Sequence, residues 1–229
     1  MKGLKAMDTK LFFQAIIKFA LGLLIVGLLI FLPANTIEYW NGWLLMGLLF
    51  VPMFVAGIFL MIKNPELLKK RLNMKEKEKG QKQIVAISGL MFIAGFILAG
   101  LNYRFNWIKL PNVVVIISSC IFILSYILYA EVIRENKYLS RTLEVQDGQK
   151  VVDKGLYGIV RHPMYLATIL LFLSMPLILG SPISLIIFLI YPFIIAKRIK
   201  SEEELLEREL EGYNEYKNKV KYKVIPYVW

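Results

Sequence analysis

The chain has 229 residues, 57% of them hydrophobic and 20% charged, with 28 Lys+Arg against 17 Asp+Glu and a formal net charge of +11. Soluble domains average about 45–50% apolar and about 25% charged residues, so this composition excludes both an ordinary soluble domain and a disordered chain. One cysteine, Cys120, excludes a disulfide scaffold, and one histidine, His162, adds too little to it for a zinc site. What remains is an all-α, polytopic integral membrane protein with a strongly basic polar part.

A hydrocarbon core about 30 Å thick takes roughly 20 helical residues at about 1.5 Å each. Four runs reach that length: Leu11–Leu32, Gly42–Ile62, Ile84–Tyr103 and Val113–Ile133. The first is too long for the apolar part of a signal peptide and is expected to stay in the mature chain. A fifth stretch, Met164–Ala196, is split by Gly180-Ser181-Pro182 into halves short for independent spans, which predicts a helical hairpin over 163–197. Five to six membrane helices follow, in two regions: residues 1–133 with four spans and a basic loop 63–83, and residues 134–229 with the polar motifs, the hairpin and a C-terminal helix.

The segments joining these spans place 26 basic residues on one side and only Arg104 and Lys109 on the other. Short cytoplasmic loops concentrate Lys and Arg, so both termini and both long loops are expected to face the cytoplasm, in the cell membrane. Most of this charge orients the chain and attracts anionic headgroups. A nucleic-acid partner is not expected, because no basic surface interleaved with aromatics occurs.

Within the first long loop, Asn64-Pro65-Glu66 reads as a cap with proline at the first helical position. Leu67, Leu68 and Leu72 then form a short amphipathic face for the interface, and Lys75–Lys79 alternates charge as a solvated segment. The second loop, Arg134–Arg161, is too long for a plain connection. It holds a turn at Asp147-Gly148, a β-prone Val151-Val152 pair and Gly155-Leu156-Tyr157-Gly158. It runs into Arg161-His162-Pro163-Met164-Tyr165, where Pro163 suits the first turn of a helix. Free N–H groups, the helix dipole and Arg161 together favour an anion at that helix start. Past the hairpin, Arg198 and Glu202 stand four apart on one helix face.

These pieces, in this order around a split hairpin, resemble the isoprenylcysteine carboxyl methyltransferase and phospholipid methyltransferase superfamily, with its prokaryotic branch nearest. The likeness rests on Gly155-Leu156-Tyr157, the Arg161–Tyr165 motif, Arg198 with Glu202-Glu203, Gly212-Tyr213-Asn214-Glu215-Tyr216 and the tail from Val220 to Trp229, and covers roughly 136–229. Ala167 stands where that family commonly has glycine, and the run Glu202-Glu203-Glu204 leaves the glutamate's register open; Glu202 is chosen for its spacing from Arg198.

The resemblance implies S-adenosylmethionine as cofactor and a lipidic or prenylated acceptor, methylated on a carboxylate oxygen or a phospholipid amine. It implies that Gln149, Lys150, Val151, Val152, Tyr157, His162, Pro163, Met164, Tyr165 and Glu202 border the cofactor, that Arg198 holds the acceptor, and that Arg198 and Glu202 serve the reaction. No metal is implied. The Gly-rich strand–helix fingerprint of a Rossmann methyltransferase is absent from the sequence. A rival is an NADPH-dependent membrane reductase of the sterol type, which carries a related motif, usually with asparagine where Met164 stands. A further rival is a non-catalytic membrane protein. A transporter would hold ionisable residues inside its spans, whereas Lys18 and Glu131 lie near span ends.

Overall fold

The computed structural model describes residues 9–72, 79–140 and 144–229. Its elements are α1 (Thr9–Ala34), α2 (Trp40–Lys63), α3 (Pro65–Leu72), α4 (Lys79–Phe105) and α5 (Asn112–Glu135), then a 3-10 turn (Gly155–Gly158), α6 (Pro163–Ile178), α7 (Pro182–Phe188), α8 (Tyr191–Glu209) and α9 (Tyr213–Lys219). The all-helical expectation holds among these residues. The β-prone pair Val151-Val152 forms no strand; it lies in extended chain between the turn at 147–148 and the 3-10 turn, with no partner strand to complete a ladder. Of the segment Lys75–Lys79, residues 75–78 lie outside the described residues, and Lys79 opens α4.

The four apolar runs become α1, α2, α4 and α5, with 26, 24, 27 and 24 residues. At ~1.5 Å per residue each is about 36–40 Å long, enough to cross a bilayer. Their outer faces stay apolar and exposed, as at Leu24, Phe59, Leu90 and Leu124, where lipid replaces water as the solvent. Between α2 and α4 the predicted cap is present: the Asn64 side chain accepts the Leu67 N–H at 3.1 Å, α3 starts at Pro65, and Leu67 and Leu68 are buried.

One apolar cluster joins both predicted regions. Ile30, Leu45, Phe122, Ile178 and Phe188, from α1, α2, α5, α6 and α7, are each 0% exposed within it. Helix α6 packs along α5, and α7 along α4. At the latter contact the Ser184 hydroxyl donates to the Gly95 carbonyl at 2.7 Å, and a Cβ on Gly95 would fall 2.3 Å from the Phe188 ring. Small residues at helix contacts let backbones approach this closely in membranes.

The hairpin differs from a simple pair of helices. Its first arm, α6, has only 16 residues, about 24 Å, less than a bilayer core. Its second arm breaks at Leu189–Ile190, because Pro192 brings no N–H to the ladder and its ring crowds the preceding turn. Beyond the break, α8 carries on well past the predicted end of the hairpin at residue 197, to Glu209. Gly212, at φ 81°, turns the chain into α9. The tail then folds back onto the start of α6, where the Arg161 N–H donates to the Tyr222 carbonyl at 2.9 Å and the His162 N–H to the Lys223 carbonyl at 2.8 Å.

Candidate active site

The C-cap of α5, loop residues 136–140 and 144–152, the 3-10 turn, the start of α6, the polar part of α8 and α9 enclose one cavity. Of the residues singled out from sequence, Gln149, Lys150, Val151, Val152, Tyr157, His162, Met164, Tyr165, Arg198 and Glu202 all line it. Pro163 does not. It is buried at the first position of α6, where its fixed φ shapes the helix start.

Each wall is set by local chemistry. Gly155 has φ 61°, and a Cβ there would fall 1.9 Å from the Glu135 carboxylate, which accepts the Leu156 N–H at 2.9 Å. Only glycine lets the 3-10 turn sit on the end of α5 in this way. Tyr157 is thereby placed with its hydroxyl accepting from Asn136 Nδ2 at 3.0 Å and its carbonyl accepting the Tyr216 hydroxyl at 2.7 Å. Across the cavity the Tyr165 hydroxyl donates to Glu202 Oε2 at 2.6 Å and accepts from Arg198 Nε at 3.0 Å. The predicted Arg198/Glu202 face therefore exists, bridged by a phenol from α6.

The adjacent Glu203 does something else. It is 5% exposed, and its Oε1 meets Arg161 Nε at 2.8 Å and His162 Nε2 at 3.2 Å, while Oε2 meets Lys223 Nζ at 3.0 Å. Arg161 Nη1 also donates to the Val220 and Lys221 carbonyls, at 2.6 and 2.8 Å. Arg161 touches the cavity wall, yet its guanidinium is committed to Glu203 and the tail. The Arg161 part of the anion expectation is corrected here: its side chain is paired with Glu203, and the Arg161 and His162 N–H groups, just ahead of α6, bond to tail carbonyls.

The cavity also holds residues that sequence reasoning passed over: Asn136, Tyr138, Leu205, Leu206, Tyr213 and Tyr216. Tyr213 and Tyr216 stand in the stretch noted only as part of a family-like tail; their spacing of three on a helix was the available signal. Burial, more than any neighbour, pushes the phenols of Tyr157, Tyr213 and Tyr216 above their usual range, so all three stay neutral. The Tyr213 hydroxyl is buried and has no hydrogen-bond partner among the described residues.

Residues 113–208, from α5 through most of α8, match the model of the isoprenylcysteine carboxyl methyltransferase (ICMT) family. A solved structure of the eukaryotic intramembrane Ras methyltransferase ICMT, without a monobody, aligns with a TM-score of 0.55 at 21% identity, covering 93% of this chain and 77% of that one. The chain has the ICMT fold. Both comparisons bear out the resemblance read from the motifs. The family match begins earlier than the motif-bearing stretch, in α5, and the likeness of fold takes in the first four spans, which the sequence matched only in being hydrophobic. Over 91 residues the chain is also 29% identical to Delta(14)-sterol reductase TM7SF2 of Mus musculus, covering 38% of this chain and 22% of that protein. The chain thus spans about a fifth of that relative's length.

Proposed function

We propose that the protein is an S-adenosylmethionine-dependent membrane methyltransferase whose acceptor is a lipidic or prenylated molecule carrying a carboxylate or a phospholipid amine. The observation that carries this reading is the meeting of Tyr157, His162, Tyr165, Arg198 and Glu202 around one cavity, at the end of the bundle where the basic loops gather. The ICMT family match over 113–208 and the ICMT fold support the same reading. The division into a membrane region 1–133 and a catalytic region 134–229, and a cytoplasmic orientation of the termini and cavity, belong to this proposal.

The residues fit the cofactor. A buried Tyr213 hydroxyl without a partner calls for a polar ligand atom, and Leu205, Leu206, Val151 and Val152 give the wall its apolar part. Glu202, whose Oε2 accepts from the Tyr165 hydroxyl, places a carboxyl group on the wall that suits an ammonium group. Tyr157, fixed at both its hydroxyl and its carbonyl, offers a rigid ring edge beside the loop 149–152. When bound, S-adenosylmethionine supplies a methyl group already activated on a sulfonium.

The protein then has mainly to position and desolvate the partners. Arg198, steadied through Nε by Tyr165, sets cationic charge where an acceptor anion arrives. A carboxylate acceptor is ionised at neutral pH and needs no base. An amine acceptor must lose a proton, for which Glu202 is the carboxylate on the wall. The short arm α6 and the break before α8 let an acyl or prenyl chain approach from the membrane while the cofactor enters from water.

The test is to incubate the purified protein with isotope-labelled S-adenosylmethionine and a panel of prenylcysteine acids and aminophospholipids, and to identify the labelled lipid by mass spectrometry. Label in one acceptor class is expected; no cofactor binding and no labelled product would overturn the reading. The sterol reductase match keeps an NADPH-dependent reductase as the second reading. Tight NADPH binding without S-adenosylmethionine binding would select it.

A further inference from the structure

Arg71 lies in the last turn of the amphipathic α3, outside the cavity just described. Its Nη1 donates to the Tyr129 hydroxyl at 3.0 Å, and its guanidinium carbon sits 5.4 Å from the centre of that ring. Its Nε and Nη2 are shut off from solvent and have no hydrogen-bond partner among the described residues. These two nitrogens share one edge of the planar group, the parallel donor pair that grips the two oxygens of a carboxylate or phosphate. Arginine cannot shed its proton to relieve burial, and the neutral Tyr129 hydroxyl cancels none of its charge. A headgroup anchor would snorkel its charged tip outward; here that tip is turned inward.

The position has a meaning in the fold. Tyr129 and Asn136 are seven residues apart, on one face of α5 and at its C-cap, so they lie about 10 Å apart along the axis. Asn136 bonds Tyr157 in the cavity wall, whereas Tyr129 lies deeper along the span. Arg71 still acts electrostatically on Tyr157, where its charge partly offsets the upward push of burial on the phenol. Helix α3 is tied on both flanks, by Lys18 of α1 donating to the Leu72 carbonyl and by Lys70 donating to the Gln146 side chain of the loop. Arg71 is therefore fixed against α5, roughly one to two helical turns deeper along that helix than the cavity residue Asn136.

We propose that the Nε/Nη2 edge of Arg71 is an anion subsite for the acceptor, taking a two-oxygen acid group, carboxylate or phosphate, borne on an apolar chain. The word acceptor rests on the methyltransferase reading; the subsite itself does not. The two are separated by measuring binding without any methyl transfer.

The full chain carrying Arg198→Ala, so that the cavity's own cation does not contribute, is placed in nanodiscs of neutral phosphatidylcholine and titrated with a long-chain prenyl carboxylic acid, the methyl ester of that acid, and phosphatidic acid. With Arg71 intact this chain is expected to bind the acid, the phosphatidate or both at least ~10-fold tighter than the ester, and the stronger of the two identifies the source of the anion. Arg71→Ala should abolish that preference. Arg71→Lys should restore only part of it, since an ammonium lacks the planar fork. Equal binding of all three probes with Arg71 intact, or a preference that survives Arg71→Ala in the Arg198→Ala chain, would overturn the subsite. Melting temperature and S-adenosylmethionine binding control for folding. Should Arg71→Ala not fold, Arg71→Lys decides: a reduced preference supports the subsite, and an unchanged one overturns it. A chain that binds no S-adenosylmethionine but keeps the Arg71-dependent preference would overturn the methyltransferase reading alone.

Discussion

At the sparsely charged end of the bundle, buried polar groups close on one another. Asn102 donates to the Ile108 carbonyl at 2.9 Å and accepts the Ile108 N–H at 3.2 Å; Asn41 donates to the Ile178 carbonyl at 2.7 Å; and the Tyr39 hydroxyl donates to the Leu179 carbonyl. At the basic end closure is only partial. The buried side-chain atoms without a partner among the described residues belong to Arg71, Gln81 and Tyr213, all on elements at that end. Leaving a buried donor unpaired costs about 1–3 kcal/mol, more when it is charged. On the proposed reading, the groups left open are those a ligand completes. The contrast separates groups that hold the bundle together from groups that wait to bind.

The largest expected effect comes from the closed ion cluster around Glu203 at the basic end. Glu203→Gln removes the charge shared by Arg161, His162 and Lys223 and leaves a buried guanidinium without its counter-ion. A loss of ~3–5 kcal/mol is expected, read as a fall in thermal or denaturant midpoint of the detergent-solubilised protein. A near-normal midpoint would show that the tail carbonyls alone suffice to hold Arg161. Next, Arg198→Ala should leave the midpoint close to wild type and cut methyl transfer ~100-fold, mostly through the acceptor, while Glu202→Ala should mainly raise the S-adenosylmethionine concentration needed for half-maximal rate. Wild-type kinetics for both would remove that pair from the site.

A smaller effect is expected at the closed end. Asn102→Ala opens the reciprocal pair with Ile108 and should cost ~1–2 kcal/mol of stability while activity per folded molecule stays unchanged. The smallest belongs to Tyr213→Phe, which removes a hydroxyl that bonds nothing in the described structure. Stability without ligand should stay within ~0.5 kcal/mol, and cofactor affinity should fall several-fold. If ligand-free stability drops as far as in Asn102→Ala, the contrast between the two ends is lost.

Much of the fold was legible because a bilayer imposes a simple rule on helix length and composition. The cap at Asn64-Pro65 and the helix start at Pro163 were legible too, since both depend on backbone donors and on residues a few positions apart. The break before Pro192 was missed because the apolar run continues through it, and hydropathy does not register a missing N–H. The roles of Glu202 and Glu203 were not separable from sequence. Successive residues on a helix point about 100° apart, and which faces the cavity depends on how α8 sits against α6 and the tail. Glu202 shares a face with Arg198, whereas Glu203 shares one with the buried Ile199. Arg71 carried no signal at all within a loop of eight basic residues, because its hydrogen-bond partner among the described residues, Tyr129, lies 58 positions away.

The sequence alone therefore determined that the chain is a basic, multi-span helical membrane protein with its family-like motifs gathered at 136–229, because hydropathy, charge and short motifs act locally along the chain. Tertiary structure decided which of its charges remain for a ligand. It committed Arg161 to Glu203 and the folded-back tail, bridged Arg198 to Glu202 through Tyr165, and left the Arg71 edge and the Tyr213 hydroxyl open. The physical reason is that a buried charge or hydroxyl is defined by its partners, and those partners come from segments that meet only when the bundle closes.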